Sequence, residues 1–502
     1  MSAPKPFKIR RIAIIGAGPS GLATAKYLLA ERSFPQVDIF EQRGTIGGIW
    51  NFSPEIPSYS TLPQISPYIP VEKPQQRADG EAIFPSPMYE GLETNIPHEL
   101  MKYSDLPFSI EVPLFPPYEV VKEYLEEYAN DIRHLIHFST QVLDVRPLDS
   151  RNSDEGNYHE IWRVKTRKSG TQLEDVRDYD AVVVAGGNFD VPYVPDICGL
   201  AEWNEHYPGI ATHSKAYRKP DYFKGKKVII VGNSASGLDI GNQIATACAH
   251  PLLESQRSPP SSIPSGLGTT VWKEELPEIT AFLPPSDGIR AVRFANDNIE
   301  TEIDAVVFCT GYLYSHPYLS SLKPSPDTPD GSRVQHVYRH IFFSPRPTLA
   351  FVGLPREVVP FQIAESQSAV IARVWSNRIP LPSKAEMDRW EIEEIASKGT
   401  VSRFHRMGYP TEADYINEMH TWCLQAIPRI EGEKLPPLWG GREKWFRAEF
   451  RAMRKAYSNR KMARHRVKRP EDLGFSYKKW KEGGEQAARS LPQEPYEKGI
   501  DP

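Results

Sequence analysis

Cysteine is scarce in this sequence: four residues in 502, at Cys198, Cys248, Cys309 and Cys423. They are widely scattered, with no CxxC pair and no metal-type spacing. That excludes a dithiol redox centre, a cysteine metal site and a disulfide framework, so no metal is expected. A reducing, cytoplasmic setting fits. Long apolar runs are missing too, none approaching the ~18 residues of a membrane span. The opening MSAPKPFKIRR carries no apolar signal region, and the closing KKWKEGGEQAARSLPQEPYEKGIDP is polar, so neither a leader nor a tail anchor is expected. Charge of one sign is absent: 60 basic residues are interspersed with 64 acidic ones, for a net charge of −4. Nucleic acid and anionic membranes therefore find no footprint here.

What is present points to a layered α/β protein. The length suits about two or three domains. Arg11-Ile-Ala-Ile-Ile is a short apolar run ended by glycine, a helical pattern follows, and Val37-Asp-Ile-Phe reads as the next strand. Such strands are continuously apolar because they are buried on both faces. Residues 53–87 are rich in proline and nearly aperiodic, which predicts an extended surface insertion or a lid. A helix is expected over 118–131 and strands near 141–145, 162–166 and 181–185. A second strand–turn–helix–strand unit begins at Lys226, with its helix over 236–249 and its strand over 251–255. The strand Ala305-Val-Val-Phe-Cys ends in Thr310-Gly311-Tyr312 and echoes Ala181-Val-Val-Val-Ala-Gly-Gly. Both endings suit places where the chain crosses between domains beside a cofactor; a plain strand end is the alternative. Residues 385–465 alternate helical patterns with loops. Their charges (Arg451, Arg454, Lys455, Arg460, Lys461, Arg464) read as a solvated face.

Two loops carry the chemistry. Gly16-Ala-Gly18-Pro19-Ser20-Gly21 follows a strand and opens a helix. The first glycine allows the tight turn, the second lets backbone approach a pyrophosphate, and the third lets helix pack on strand. The anion then meets the free N–H groups of the helix N-terminus. Glu41, ~20 residues past the loop, is placed to accept ribose hydroxyls. The second loop, Gly232-Asn-Ser234-Ala-Ser236-Gly237, has serine at the middle position. At the matching distance stands Arg257, after Ser255, and an arginine suits a 2′-phosphate through bidentate bonds. Loop one therefore suits FAD and loop two NADPH. An exposed surface arginine is the other reading of Arg257, and nearby Glu254 complicates the assignment. Ser234 suits a dinucleotide that comes and goes.

Further stretches resemble the flavin-containing monooxygenase family over roughly residues 8–390. Tyr207-Pro-Gly209-Ile-Ala-Thr-His213-Ser-Lys-Ala-Tyr217 resembles its FxGxxxHxxx(Y/F) signature, with Tyr207 for phenylalanine. Gly47-Gly48-Ile49-Trp50 is similar to its GGxW. Leu92-Glu-Thr94-Asn95-Ile-Pro97, with Asp105 and Pro107, resembles its active-site asparagine segment. Phe308-Cys-Thr310-Gly311-Tyr312 resembles its ATGY turn, and His340-Ile-Phe-Phe, Phe351-Val-Gly-Leu-Pro355, Pro360-Phe361 and Glu365-Ser-Gln367 resemble further blocks. GNSASG itself is similar to the family's second loop.

The resemblance implies an FAD domain interrupted by an NADPH domain: 1–206 and 305–502 for the first, 207–304 for the second. It implies hydride transfer from NADPH to FAD, addition of dioxygen to give a C4a-hydroperoxide, and transfer of one oxygen to a soft nitrogen or sulfur nucleophile in a small molecule. A homo-oligomer stays open. Asn95 is the candidate catalytic residue, since its amide donates without being a proton source; turn statistics alone would make Thr94-Asn95-Ile-Pro97 an ordinary turn. Thr94 is a candidate contact to the nicotinamide ribose. Trp50 is a flavin wall or a core residue. His213 is structural or positions NADP, Gln367 lines the isoalloxazine, and Val142 joins the cofactor set. Baeyer–Villiger oxygenation is a distant alternative, because that signature ends in tryptophan where this chain has Tyr217. A flavin- and NADPH-binding sensor or uncoupled oxidase is another.

Overall fold

A computed structural model of the chain describes residues 6–56, 62–69, 74–77, 82–148, 160–257, 272–285 and 288–483. Residues 57–61, 70–73 and 78–81 of the proline-rich 53–87 stretch lie outside them; a two-residue ladder, Gln75–Gln76 against Ala82–Ile83, lies within.

The first sheet has seven strands. Arg11–Ile15 lies in its interior, flanked in parallel by Gln36–Phe40 and Ala181–Val184. Ile136–His137 extends one edge and Leu349–Phe351 the other, again in parallel. The short strands Phe342–Phe343 and Val337–Tyr338 close the latter edge in antiparallel fashion. The pleat divides the apolar run between two cores. Ile12, Ile14, Ala181 and Val183 face the helices Pro19–Ala30, Tyr118–Tyr128 and Pro360–Trp375. Ala13, Ile15, Val182 and Val184 face Trp162, Val164 and Tyr179 of an antiparallel meander. Burial on both faces is why these strands read as unbroken hydrophobics.

The second sheet has five strands, all parallel, in the order Ala211–His213, Ala305–Phe308, Val228–Val231, Leu252–Ser255, Lys273–Leu276. The chain leaves the first sheet after Val184, enters the second at Ala211, leaves it after Phe308, and returns to the first at Val337. The two crossings pair with each other: Val191–Pro192 runs antiparallel to Tyr312–Leu313. The sheet of the GNSASG loop is therefore inserted into the sheet of the first loop.

Two helices end earlier than their sequence patterns suggest, at Tyr128 and Ile244. Among the described residues four α-helices occupy the C-terminal region: Lys384–Lys398, Thr411–Cys423, Gly441–Asn459 and the short Tyr477–Glu482. The expectation that its basic residues form a solvated face needs correction for two of them. Arg454 and Arg464 turn inward onto the carboxylate of Glu93.

Candidate active site

The first loop is built by close approach. Gly16 has φ of 104°, a backbone that side chains rarely adopt, and a Cβ there would stand 2.7 Å from the Ala185 carbonyl oxygen. A Cβ on Gly21 would meet the Gly16 oxygen at 1.9 Å. Gly18 has an ordinary φ of −79°, and a Cβ on it would stand 3.4 Å from the Gly48 Cα, an ordinary contact. The Gly47-Gly48 turn lies on it, and a Cβ on Gly48 would come within 3.1 Å of the Gly18 Cα. Gly47 N–H donates to the Ala17 oxygen at 2.9 Å. Ile49 and Trp50 follow, half-buried. Glu41 is buried at the end of the second strand, and its two oxygens accept from the Ala17 and Arg43 N–H groups at 2.9 Å each. The helix opening at Pro19 and Ser20 has neither a side-chain cap nor an acid in its first turn. These features fit a dinucleotide pyrophosphate: free helix N–H groups, a cradle that any Cβ would fill, and a carboxylate beside it.

The second loop repeats the frame. Gly232 has φ of 105°; a Cβ there would lie 2.9 Å from the Cys309 oxygen, and one on Gly237 would lie 2.0 Å from the Gly232 oxygen. Ser234 sits at φ −80°, ψ −173°, nearly the φ −79°, ψ −176° of Gly18. This backbone accepts any residue, so neither loop needs glycine at its middle position for the dihedrals; in loop one that position is covered by Gly48. Ser234 is exposed, as is Ser236. The serine therefore leaves the loop's geometry intact.

The strand register corrects one expectation. Gly16 N–H donates to the oxygen of Phe40, and Gly232 N–H to that of Ser255. The next residue is Glu41 in one unit and Gln256 in the other; their N–H groups donate across to His137 and Leu276. Gln256, and not Arg257, thus stands where Glu41 stands. The likeness extends to the side chain: Gln256 Oε1 accepts from Asn233 Nδ2 at 2.7 Å, much as Glu41 accepts from Ala17. Counting along the sequence missed this because the second crossover is one residue shorter. Arg257 follows as an exposed side chain, its Nε 3.4 Å from Glu278. Glu254 is drawn aside by Lys273 at 2.6 Å, which removes it from the loop. Ser255 is buried, its hydroxyl donating to the Pro277 oxygen.

The crossings meet at His213. Its Nδ1 accepts from Lys215 N–H at 3.1 Å, which leaves Nε2 to donate to the Gly311 oxygen at 3.0 Å. Burial pushes the ring's pKa down to about 3, so it stays neutral and acts as a fixed strut. Thr310 donates to the Tyr193 oxygen. Two residues that sequence reasoning passed over complete the joint. Lys215, almost fully buried, binds both the carbonyl and the carboxylate of Asp190 at 2.7 Å. Arg218, also buried, donates to the backbone oxygens of Glu55, Lys215 and Tyr217.

The Asn95 segment links the two halves. Tyr89 donates to Asp239 at 2.6 Å, on the helix that opens at the second loop. Thr94 and Tyr118 N–H groups bind the Pro116 and Leu92 oxygens, and the Tyr118 ring meets Phe52, two residues past Trp50, at 5.6 Å. Asn95 is exposed, whereas Thr94 is buried with its hydroxyl donating to Ile96. Thr94 therefore shapes the turn. Gln367 also differs from its expected place: it is wholly buried, its oxygen accepts from Gly353 N–H, and its nitrogen donates to His340 and Tyr415. It holds the backbone beside Ser20, whose Oγ is 2.8 Å from where a Gly353 Cβ would stand. Val142 packs in the core with Ile15 and Phe40, so only its backbone remains for a ligand.

Comparison with known proteins agrees with this architecture. A family model described as flavin-binding monooxygenase-like matches residues 76–260 and 288–430, and an NAD(P)-binding Rossmann-like domain matches residues 14–59. The chain belongs to the flavin-containing monooxygenase family. FAD and NADPH are the cofactors of this monooxygenase. It is 31% identical over 446 residues to the flavin-containing monooxygenase FMO GS-OX-like 2 of Arabidopsis thaliana, covering 86% of this chain and 88% of the relative. It is 29% identical to the thiol-specific monooxygenase of Saccharomyces cerevisiae, covering 86% and 89%. Among solved structures it resembles the S-allyl-L-cysteine S-oxygenase of Allium sativum, with a TM-score of 0.72 and 26% identity over 94% and 99% of the two chains. Among the described residues no helix is long and apolar enough to cross a membrane.

Proposed function

We propose that this monooxygenase holds FAD at the first loop and an exchangeable NADPH at the second, and oxygenates a soft nitrogen or sulfur atom of a small molecule with dioxygen. The observation that carries the reading is the asymmetry of the loops: Gly48 closes over Gly18, whereas Ser234 is exposed in the same backbone conformation. A closed cradle suits a resident cofactor and an open one suits a co-substrate. FAD, when bound, supplies the electron transfer and oxygen activation. The chain's own groups bind, orient and keep out water. Gly16, Gly18, Gly21 and the helix N-terminus take the pyrophosphate, Glu41 the ribose. At the second loop Gln256 offers an uncharged amide beside Arg257, which favours a ribose carrying a 2′-phosphate over a bare one. His213, neutral and doubly bonded, braces the crossing. Asn95 offers N–H donors without an acidic proton. Sulfur oxygenation draws support from the activities named for the Allium and yeast relatives.

The test is a substrate panel of a thiol, a thioether, a tertiary amine and a cyclic ketone. NADPH consumption, peroxide release and product mass are followed together. One added oxygen on sulfur or nitrogen is expected. A lactone from the ketone, or peroxide alone with every compound, overturns the reading. Dialysed protein should keep its flavin absorbance and lose nicotinamide; stoichiometric NADP with no flavin would sink the loop assignment.

A further inference from the structure

Glu93 stands two residues before Asn95, and its side chain is 6% exposed. Its carboxylate is held from the far end of the chain. Arg454 Nη1 lies 3.0 Å from Oε2, Arg464 Nε lies 2.9 Å from Oε1 and 3.2 Å from Oε2, and His465 Nδ1 lies 3.6 Å from Oε1. These partners sit on the helix Gly441–Asn459 and the turn Lys461–Arg466, beyond residue 430, where the family match ends. The Arg454 guanidinium also lies over the Phe115 and Tyr457 rings, 5.2 and 5.5 Å from their centroids. Neighbouring bonds follow the same route: Leu114 N–H to the Val467 oxygen at 2.8 Å, His98 to the Lys468 oxygen, and Arg442 to Glu99 at 2.6 Å. On its other side the segment is tied through Tyr89 to Asp239.

We propose that Glu93, Arg454 and Arg464 are positioning residues, a buried carboxylate–diguanidinium clamp by which the C-terminal helix sets the Asn95 turn. The proposal rests on the reading of Asn95 given above. A buried charge held by two partners has a narrow range of positions, and removing one partner leaves the rest uncompensated. Asn95, itself exposed, is aimed only as well as the backbone two residues upstream is held. Such aim matters within ~0.5 Å. The clamp belongs to neither nucleotide loop, so its loss should leave flavin retention and NADPH affinity intact.

Arg454→Ala/Arg464→Ala is compared with Lys455→Ala, an exposed neighbour, and with Arg454→Lys/Arg464→Lys. Two quantities are read without any organic substrate: peroxide released per minute from NADPH and dioxygen, and amide hydrogen exchange in the peptide 92–98. The alanine pair should raise both, the peroxide rate by about tenfold, which is below the ~100-fold that a 1 Å misplacement can bring. The lysine pair should restore most of the difference and Lys455→Ala should change neither. Should the alanine pair fail to fold, Glu93→Gln, which keeps the shape and removes the charge, gives the same comparison. Unchanged exchange at 92–98 together with an unchanged peroxide rate overturns the clamp. Asn95→Ala separates the two ideas. If it raises peroxide release and the clamp variants do not, the clamp alone is wrong. If Asn95→Ala changes nothing, the reading of Asn95 fails and the clamp falls with it.

Discussion

At the residue scale the two loops differ by single contacts. A Cβ at Gly48 meets backbone at 3.1 Å from a φ of +57°, and a non-glycine residue in that region costs about 1–3 kcal/mol before the clash is counted. Gly48→Ala should therefore lose bound flavin, read as the absorbance ratio of purified protein. Gly237→Ala, whose Cβ would collide with the Gly232 oxygen, should keep flavin and weaken NADPH binding in titrations. Arg257 and Gln256 make a sharper pair. Arg257→Gln should lose about 1.5–3 kcal/mol of a charged hydrogen bond, raising KM for NADPH at least tenfold and leaving that for NADH nearly unchanged. Gln256→Glu places a carboxylate against the 2′-phosphate and should shift preference toward NADH, measured as the ratio of the two kcat/KM values. His213 sets a pH trend. Its folded pKa of about 3 lies below the unfolded ~6.5. The unfolded chain thus binds the extra proton, and the stability contributed above pH 6.5 is lost as pH falls toward 3. His213→Gln should flatten the fall in Tm between pH 6.5 and 4.

At the element scale the helix Pro360–Trp375 carries the opposite pH trend. Glu365 is fully buried in it, accepting from the Ser104 hydroxyl at 2.6 Å and from its N–H at 2.9 Å, with Lys434 at 3.7 Å. Burial pushes its carboxyl up to about 7. A raised folded pKa gives stability that is present below the unfolded ~4.3 and lost as pH rises through 7. Glu365→Gln, which copies the protonated form, should gain in Tm over the parent at pH 8 relative to pH 5. A constant difference at the two values would show that the carboxyl titrates normally. The same helix explains Gln367, which looks like a ligand-facing amide in the sequence and is spent on the Gly353, His340 and Tyr415 contacts. Its fate depends on two segments that fold against it from elsewhere.

At the scale of the whole molecule, the second sheet is joined to the first through buried polar groups. Arg218 is the largest of these knots: it spans the Glu55, Lys215 and Tyr217 carbonyls. Arg218→Ala would strand them, at about 1–3 kcal/mol for each group left unsatisfied. A lower Tm that saturating NADP only partly restores is expected, followed by thermal melts with and without the nucleotide.

The family resemblance implied the inserted order of the sheets; the sequence by itself determined the two loops and their strand–turn–helix frames. These follow from glycine sterics and from apolar runs buried on both faces, which act within a few residues of where they are written. Only the tertiary structure decided which residue opposes Glu41, because Gln256 and Arg257 differ by one position along the chain and register is set by pairing between strands. It likewise decided that Thr94 and Gln367 turn inward, and that Arg454 and Arg464 close on Glu93, 361 and 371 positions away in sequence. A basic helix surface and a basic clamp read alike in sequence, since the difference lies in where a distant carboxylate is buried.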